Sequence, residues 1–124
     1  MSWDVLLTVV PDGVDSTEQL PRGVRRTPVG RHAEVEEGLR RAVSGIDLTD
    51  PAWGVVDGPG WVVEVNIGRS DPVEAIMLHI RGGGDDVLPV VFRMAGELGC
   101  RLVDVLTGEL LVDGAVLRED EWFR

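Results

Sequence analysis

Glu64, Asn66, His79 and Arg81 are the residues of this chain whose types and spacing best suit shared chemistry. Along residues 61–67, Trp61, Val63, Val65 and Ile67 fall on one side, and Val62, Glu64 and Asn66 on the other. Along residues 73–81, Ile76, Leu78 and Ile80 form an apolar row, while Ala75, Met77, His79 and Arg81 form a mixed one. A period of two with one apolar face describes antiparallel strands covered on one side only. Paired as a hairpin, the two runs would hold their polar side chains within ~5–8 Å of one another. A histidine beside a glutamate suits general acid–base work, and an arginine suits the holding of a carboxylate or phosphate. With Met77 between them, the same residues better suit a surface for a ligand or partner, or a plain solvated sheet face.

Catalysis needs more than this set. Ser16, Ser44 and Ser70 stand outside any nucleophile-elbow sequence. All positive charge is arginine, and the missing lysine removes Schiff-base chemistry and the phosphate lysine of a P-loop. The run Ile80-Arg81-Gly82-Gly83-Gly84-Asp85-Asp86 has the strand, glycine turn and helix start of an anion cradle, but two aspartates stand where the anion would sit. The reading is a sharp turn with an acidic helix cap. No metal is expected: His32 and His79 fall in different elements, Cys100 reads as a small buried hydrophobe, and Asp47, Asp50 and Asp57 do not match a calcium loop. No cofactor is expected either. Arg22, Arg25 and Arg26 form the densest positive cluster, suited to an acidic partner or to the chain's own carboxylates.

The elements that must position these residues can be read in order. Residues 3–10 carry Trp3, Val5, Leu7 and Val9 on one face and Asp4, Leu6, Thr8 and Val10 on the other; two largely apolar faces mark a central strand. Residues 11–30 hold three prolines, three glycines and no sustained period, a long loop of the kind that is often functional. Residues 31–44 read as a helix with Val35, Leu39, Ala42 and Val43 on one stripe, glutamates early, arginines late and Gly45 as a stop. Gly38 inside it costs about 1 kcal/mol relative to alanine, so packing must hold this helix. Residues 46–51 read as a turn and 52–57 as a short strand, with Asp57-Gly58-Pro59-Gly60 turning into residues 61–67. Residues 68–72 turn again into 73–81. A second helix follows, capped by Asp85 or Asp86, with Val87, Val90, Val91, Met94 and Leu98 buried and Gly99 at its end. Residues 100–106 form the last main strand, and 110–112 a brief return. Trp53 and Trp61 are expected in the core under the helices, and Trp122 in the tail at an interface.

The expected fold is therefore α+β: a two-layer sandwich of a mostly antiparallel sheet with two helices on one face, in the order β-α-β-β-β-α-β. At 124 residues the expectation is a single domain, 1–124, with a long loop at 11–30 and a charged tail at 118–124. The net charge of −10 disfavours nucleic acid and favours solubility or a basic partner. No stretch reaches the ~18 apolar residues of a membrane span. The start Met1-Ser2-Trp3-Asp4 has no secretion signal, and one cysteine excludes an internal disulfide, so a cytoplasmic location is expected.

Several segments together resemble a family of small uncharacterised bacterial proteins. They are Asp50-Pro51-Ala52-Trp53-Gly54, Glu64-Val65-Asn66-Ile67-Gly68, Asp71-Pro72-Val73-Glu74-Ala75-Ile76-Met77-Leu78-His79-Ile80-Arg81-Gly82-Gly83-Gly84, Leu98-Gly99-Cys100-Arg101-Leu102-Val103-Asp104, and Thr107-Gly108-Glu109. The resemblance spans roughly residues 28 to 112 and implies no activity, cofactor or catalytic residue. In size and acidity the chain is also similar, in general character, to the immunity proteins that block bacterial toxins. The functional expectation is a non-enzymatic protein-binding module of immunity or regulatory type, using the open sheet face and acidic surface, with a protein partner or a homodimer. The alternative is a small-molecule binder or minor enzyme using Glu64, His79 and Arg81.

Overall fold

Alternation decides the sheet and helical periodicity the layer above it. In a computed structural model describing residues 2–10, 27–82 and 86–111, the elements run β1 (Ser2–Thr8), α1 (His32–Ala42), β2 (Asp47–Asp50), β3 (Trp53–Gly58), β4 (Trp61–Asn66), β5 (Ile76–Gly82), α2 (Val87–Leu98), β6 (Arg101–Asp104) and β7 (Leu110–Leu111). The expected α+β class holds, with every pairing antiparallel and the strands ordered β2-β3-β4-β5-β1-β6-β7. β1 is central, as its two apolar faces required, with β5 on one side and β6 on the other.

The described residues hold two strands more than the expected order. Residues 46–51, read as a turn, contain β2, which pairs with β3 through Asp47–Val55 and Asp50–Trp53 and shifts register between them. β2 is a mostly exposed edge. Its carboxylates fold onto their own backbone: Asp47 Oδ1 accepts from the Thr49 amide at 2.9 Å and Asp50 Oδ1 from the Ala52 amide at 2.9 Å. β7 is the brief return onto β6, pairing Leu102 with Leu111 and Val103 with Leu110. β5 begins at Ile76 rather than Val73, which instead bridges to Gly30.

One core joins the helices to a single row of strand side chains. Val5, Leu7, Trp61, Val63, Val65, Ile76, Leu78 and Ile80 share it with Val35 and Leu39 of α1 and Val87, Val91 and Met94 of α2. α1 stops at Ala42 with an extended Val43, three residues short of Gly45. Its last carbonyl is covered from the neighbouring helix, since Arg93 Nε donates to Ala42 O at 3.2 Å. Gly38 also has its reason there: a β-carbon on it would stand 2.7 Å from Leu98 Cδ2 at the α1–α2 crossing. At the N-terminus the His32 amide donates to Asp71 Oδ1, and the Arg31 amide to Glu34 Oε1, both at 3.2 Å. Asp86 stands at the N-cap of α2 but makes no side-chain capping bond, and Gly99 ends the helix with φ 65° as expected. Among the described residues no helix is long and apolar enough to cross a membrane.

Candidate functional site

The register brings the five sequence-chosen residues onto one face and adds two that the sequence reading left elsewhere. Directly opposed residues form rows across β3, β4, β5 and β1: Val55, Glu64, His79 and Asp4 in one, and Trp53, Asn66, Met77 and Leu6 in the next. A third row carries Asp57, Val62, Arg81 and Ser2. All three lie on the side opposite the core, because their neighbours Val5, Val63, Leu78 and Ile80 are buried beneath the helices.

His79 sits at the centre of this face, and its partner is not Glu64. Its Nδ1 lies 2.8 Å from Asp4 Oδ1. The imidazole also stacks on Trp53, with ring centroids 5.7 Å apart and planes 19° apart. Trp53 is therefore not the core residue expected from its place beside a hairpin; of that pair only Trp61 is buried under the helices. The reason is parity: Trp53 shares its side of β3 with Val55 and Asp57, whereas Val56 belongs to the core. The indole reaches diagonally over β4 to meet a ring on β5.

Glu64 turns to Arg81 instead. Arg81 Nη2 stands 2.9 Å from Glu64 Oε1, an ion pair in which no hydrogen bond is formed to that oxygen. The arginine is well exposed, at 67%, and the glutamate mostly covered, at 21%. With Asp4 and Asp57 on the same face as this pair, the face stays net acidic around a histidine whose ring stacks on an aromatic and whose Nδ1 meets a carboxylate. Among the described residues His79 Nε2 has no hydrogen-bond partner.

The second histidine behaves differently. His32 Nδ1 lies 2.8 Å from Glu36 Oε1 one turn along α1 and Nε2 lies 3.1 Å from the Gly68 carbonyl, so both ring nitrogens are used, one within the helix and one to tie it to the turn after β4. His32 is structural. Cys100 is buried, as expected, and burial pushes its thiol up to about 11. Among the described residues no group of three or more metal-ligating side chains occurs.

The open face is not bare along its whole width, contrary to expectation. Where β1 meets β6, Thr8 is 2% exposed and Val103 4%, and Val103 is buried apart from the main core. This end of the face is closed, while Ser2 and Asp4 of β1 and Asp57 of β3 remain exposed alongside the β4 and β5 residues. Arg22, Arg25 and Arg26, Gly83, Gly84 and Asp85, and the tail tryptophan Trp122 lie outside the described residues.

Asp4 and Trp53 are the residues that sequence reasoning missed. Asp4 was signalled by its parity against Val5 and Leu7, but which strand flanks β5 is a tertiary fact. Comparison of the chain with protein-family models, with curated proteins and with solved structures gave no match.

Proposed function

We propose that this protein is a non-enzymatic binding module that receives another protein on the exposed part of its sheet face, in an immunity-type or regulatory role. The observation that carries the reading is the Trp53–His79 stack, an aromatic pair held in the open by Asp4 and bordered by the exposed Arg81. Tryptophan and arginine are the residues in which interface energy concentrates, and a side chain already locked in place loses little freedom on docking. The net charge of −10 favours a basic partner and fast, salt-sensitive association.

The test is a calorimetric titration with the purified products of the adjoining genes, comparing the wild-type chain with Trp53→Ala/His79→Ala. A loss of roughly tenfold or more in affinity, with the fold intact by circular dichroism, supports the reading. Equal affinities would remove the face from the interface, and a wild-type chain that binds none of them would remove the immunity-type role.

A second reading, a small-molecule or minor catalytic site using Glu64, His79 and Arg81, is favoured by one feature: Asp4 orients the imidazole as a general base requires. Binding of a small anionic ligand that shifts the His79 ring resonances, and is lost in Arg81→Ala, would favour it over a protein partner.

A further inference from the structure

We propose that the group this sheet face takes from its protein partner is an arginine side chain, laid against Trp53 and His79 and bound by Asp4 and the imidazole. The inference rests on the face being an interface and names what that interface recognises.

Three observations point to a planar cation that only donates. The first is the tautomer of His79. Nδ1 lies 2.8 Å from Asp4 Oδ1, and a carboxylate accepts, so Nδ1 carries the proton of the neutral ring. Nε2 is then a bare acceptor, and among the described residues nothing donates to it. The second is charge. Asp4, Asp57 and Glu64 share the face with one cation, Arg81, which Glu64 already engages at 2.9 Å. Among the described residues Asp57 is in no ion pair, and the 47%-exposed side chain of Asp4 meets only the imidazole. The third is the stack itself, two aromatic rings 19° from parallel on the solvent side of the sheet. A guanidinium stacks on aromatic faces while its edge donates to a carboxylate.

The other candidate occupants fit less of this. A lysine meets the charge, but its compact, strongly hydrated ammonium has no plane to lay on a ring. A carboxylate or phosphate would compete with Glu64 for Arg81 and face two further carboxylates. A second copy docked face to face would set Asp4, Asp57 and Glu64 against their own equivalents.

The probes are blocked pentapeptides in which arginine, or lysine, alternates with glycine. They are titrated into the whole chain and followed by NMR of the Trp53 indole N–H and the His79 ring. The expected result is saturable shifts of both, with the arginine peptide bound about threefold more tightly than the lysine one. Trp53→Ala should erase that preference, and Asp4→Asn should weaken the arginine peptide by about threefold or more. Glu37→Gln, which removes an exposed carboxylate from α1 on the opposite side of the sheet, should leave the titration unchanged. Equal binding of the two peptides, or shifts that Trp53→Ala does not alter, would overturn the arginine assignment. So would a wild-type dimer in light scattering that Trp53→Ala dissolves, which would give the face to a second copy. Should an adjoining-gene product lose affinity for Trp53→Ala/His79→Ala while neither peptide binds, the interface stands and the arginine assignment alone falls.

Discussion

The imidazole of His79 is held from two directions at once, by the Asp4 carboxylate 2.8 Å from Nδ1 and by the Trp53 indole stacked at 5.7 Å. Asp4 and His79 are direct cross-strand partners, whereas Trp53 reaches from two strands away. A tryptophan that crosses a neighbouring strand to lie on a half-exposed ring keeps apolar area at the surface that packing into the core would have hidden.

If the Asp4–His79 contact existed for stability, it would be a weak device. The side chains are 47% and 27% exposed, and pairs in that setting couple by about 0.5 kcal/mol. A double-mutant cycle of Asp4→Asn and His79→Gln, read by urea unfolding, should return a coupling of that size. A coupling several times larger would make the pair a structural support and weaken the case for a binding role.

The end of β5, packed against the β3–β4 turn, is expected to tolerate no side chain at Gly82. Gly82 has φ 89°, and a β-carbon on it would run into the Gly60 carbonyl oxygen and the Trp61 backbone. Gly60 has φ 81° but open space around it. Gly82→Ala should therefore cost more than about 2 kcal/mol, and Gly60→Ala about 1 kcal/mol, by thermal or urea unfolding. Equal costs would mean that backbone conformation alone decides both positions.

Asp71 caps α1 from across the fold. Its carboxylate accepts the His32 amide at 3.2 Å and lies 3.7 Å from Arg31 Nε. Asp71→Ala should destabilise the protein by about 1 kcal/mol, and hydrogen exchange should accelerate most in the first turn of α1. Asp71→Asn, which keeps an accepting oxygen, should recover most of the loss.

Cys100 sets an alkaline limit. Burial pushes its thiol from an ordinary 9.0 up to about 11, so the folded state keeps this proton after the unfolded chain has lost it. Its contribution is intact below pH 9 and falls as pH rises from 9 towards 11, because the unfolded state binds fewer protons across that window. Urea midpoints of wild type and Cys100→Ala should diverge in their pH dependence only there. Alkylation of the native thiol at pH 8 should also be slow until the chain is unfolded.

The meander was legible because β4 and β5 alternate without interruption, and that period alone placed Glu64, Asn66, Met77, His79 and Arg81 on one face. β2 was not: Asp47-Leu48-Thr49-Asp50 has two poor strand formers and one apolar residue, and it is a strand only because β3 lies beside it. Trp53 was misplaced because Val55 and Val56 are both apolar, so the local sequence gives no parity, and the long pairing chain from β4 supplies it. The partner of His79 was out of reach for another reason. Asp4 lies 75 positions earlier, and although the two apolar faces of β1 mark it as an inner strand, no local pattern states that its neighbour is β5.

The acidic border at β2 has a further consequence for how the chain behaves in a crowd. A sheet that ends in free backbone groups invites another copy to extend it, and stacked copies grow into fibrils. Here a newcomer meets Asp47 and Asp50, whose carboxylates already occupy nearby amides. Hydrogen bonds from the Thr49 side chain and amide hold the Asp47 carboxyl below the usual carboxylate range, so the repulsion persists into mild acid, where other acidic guards fade.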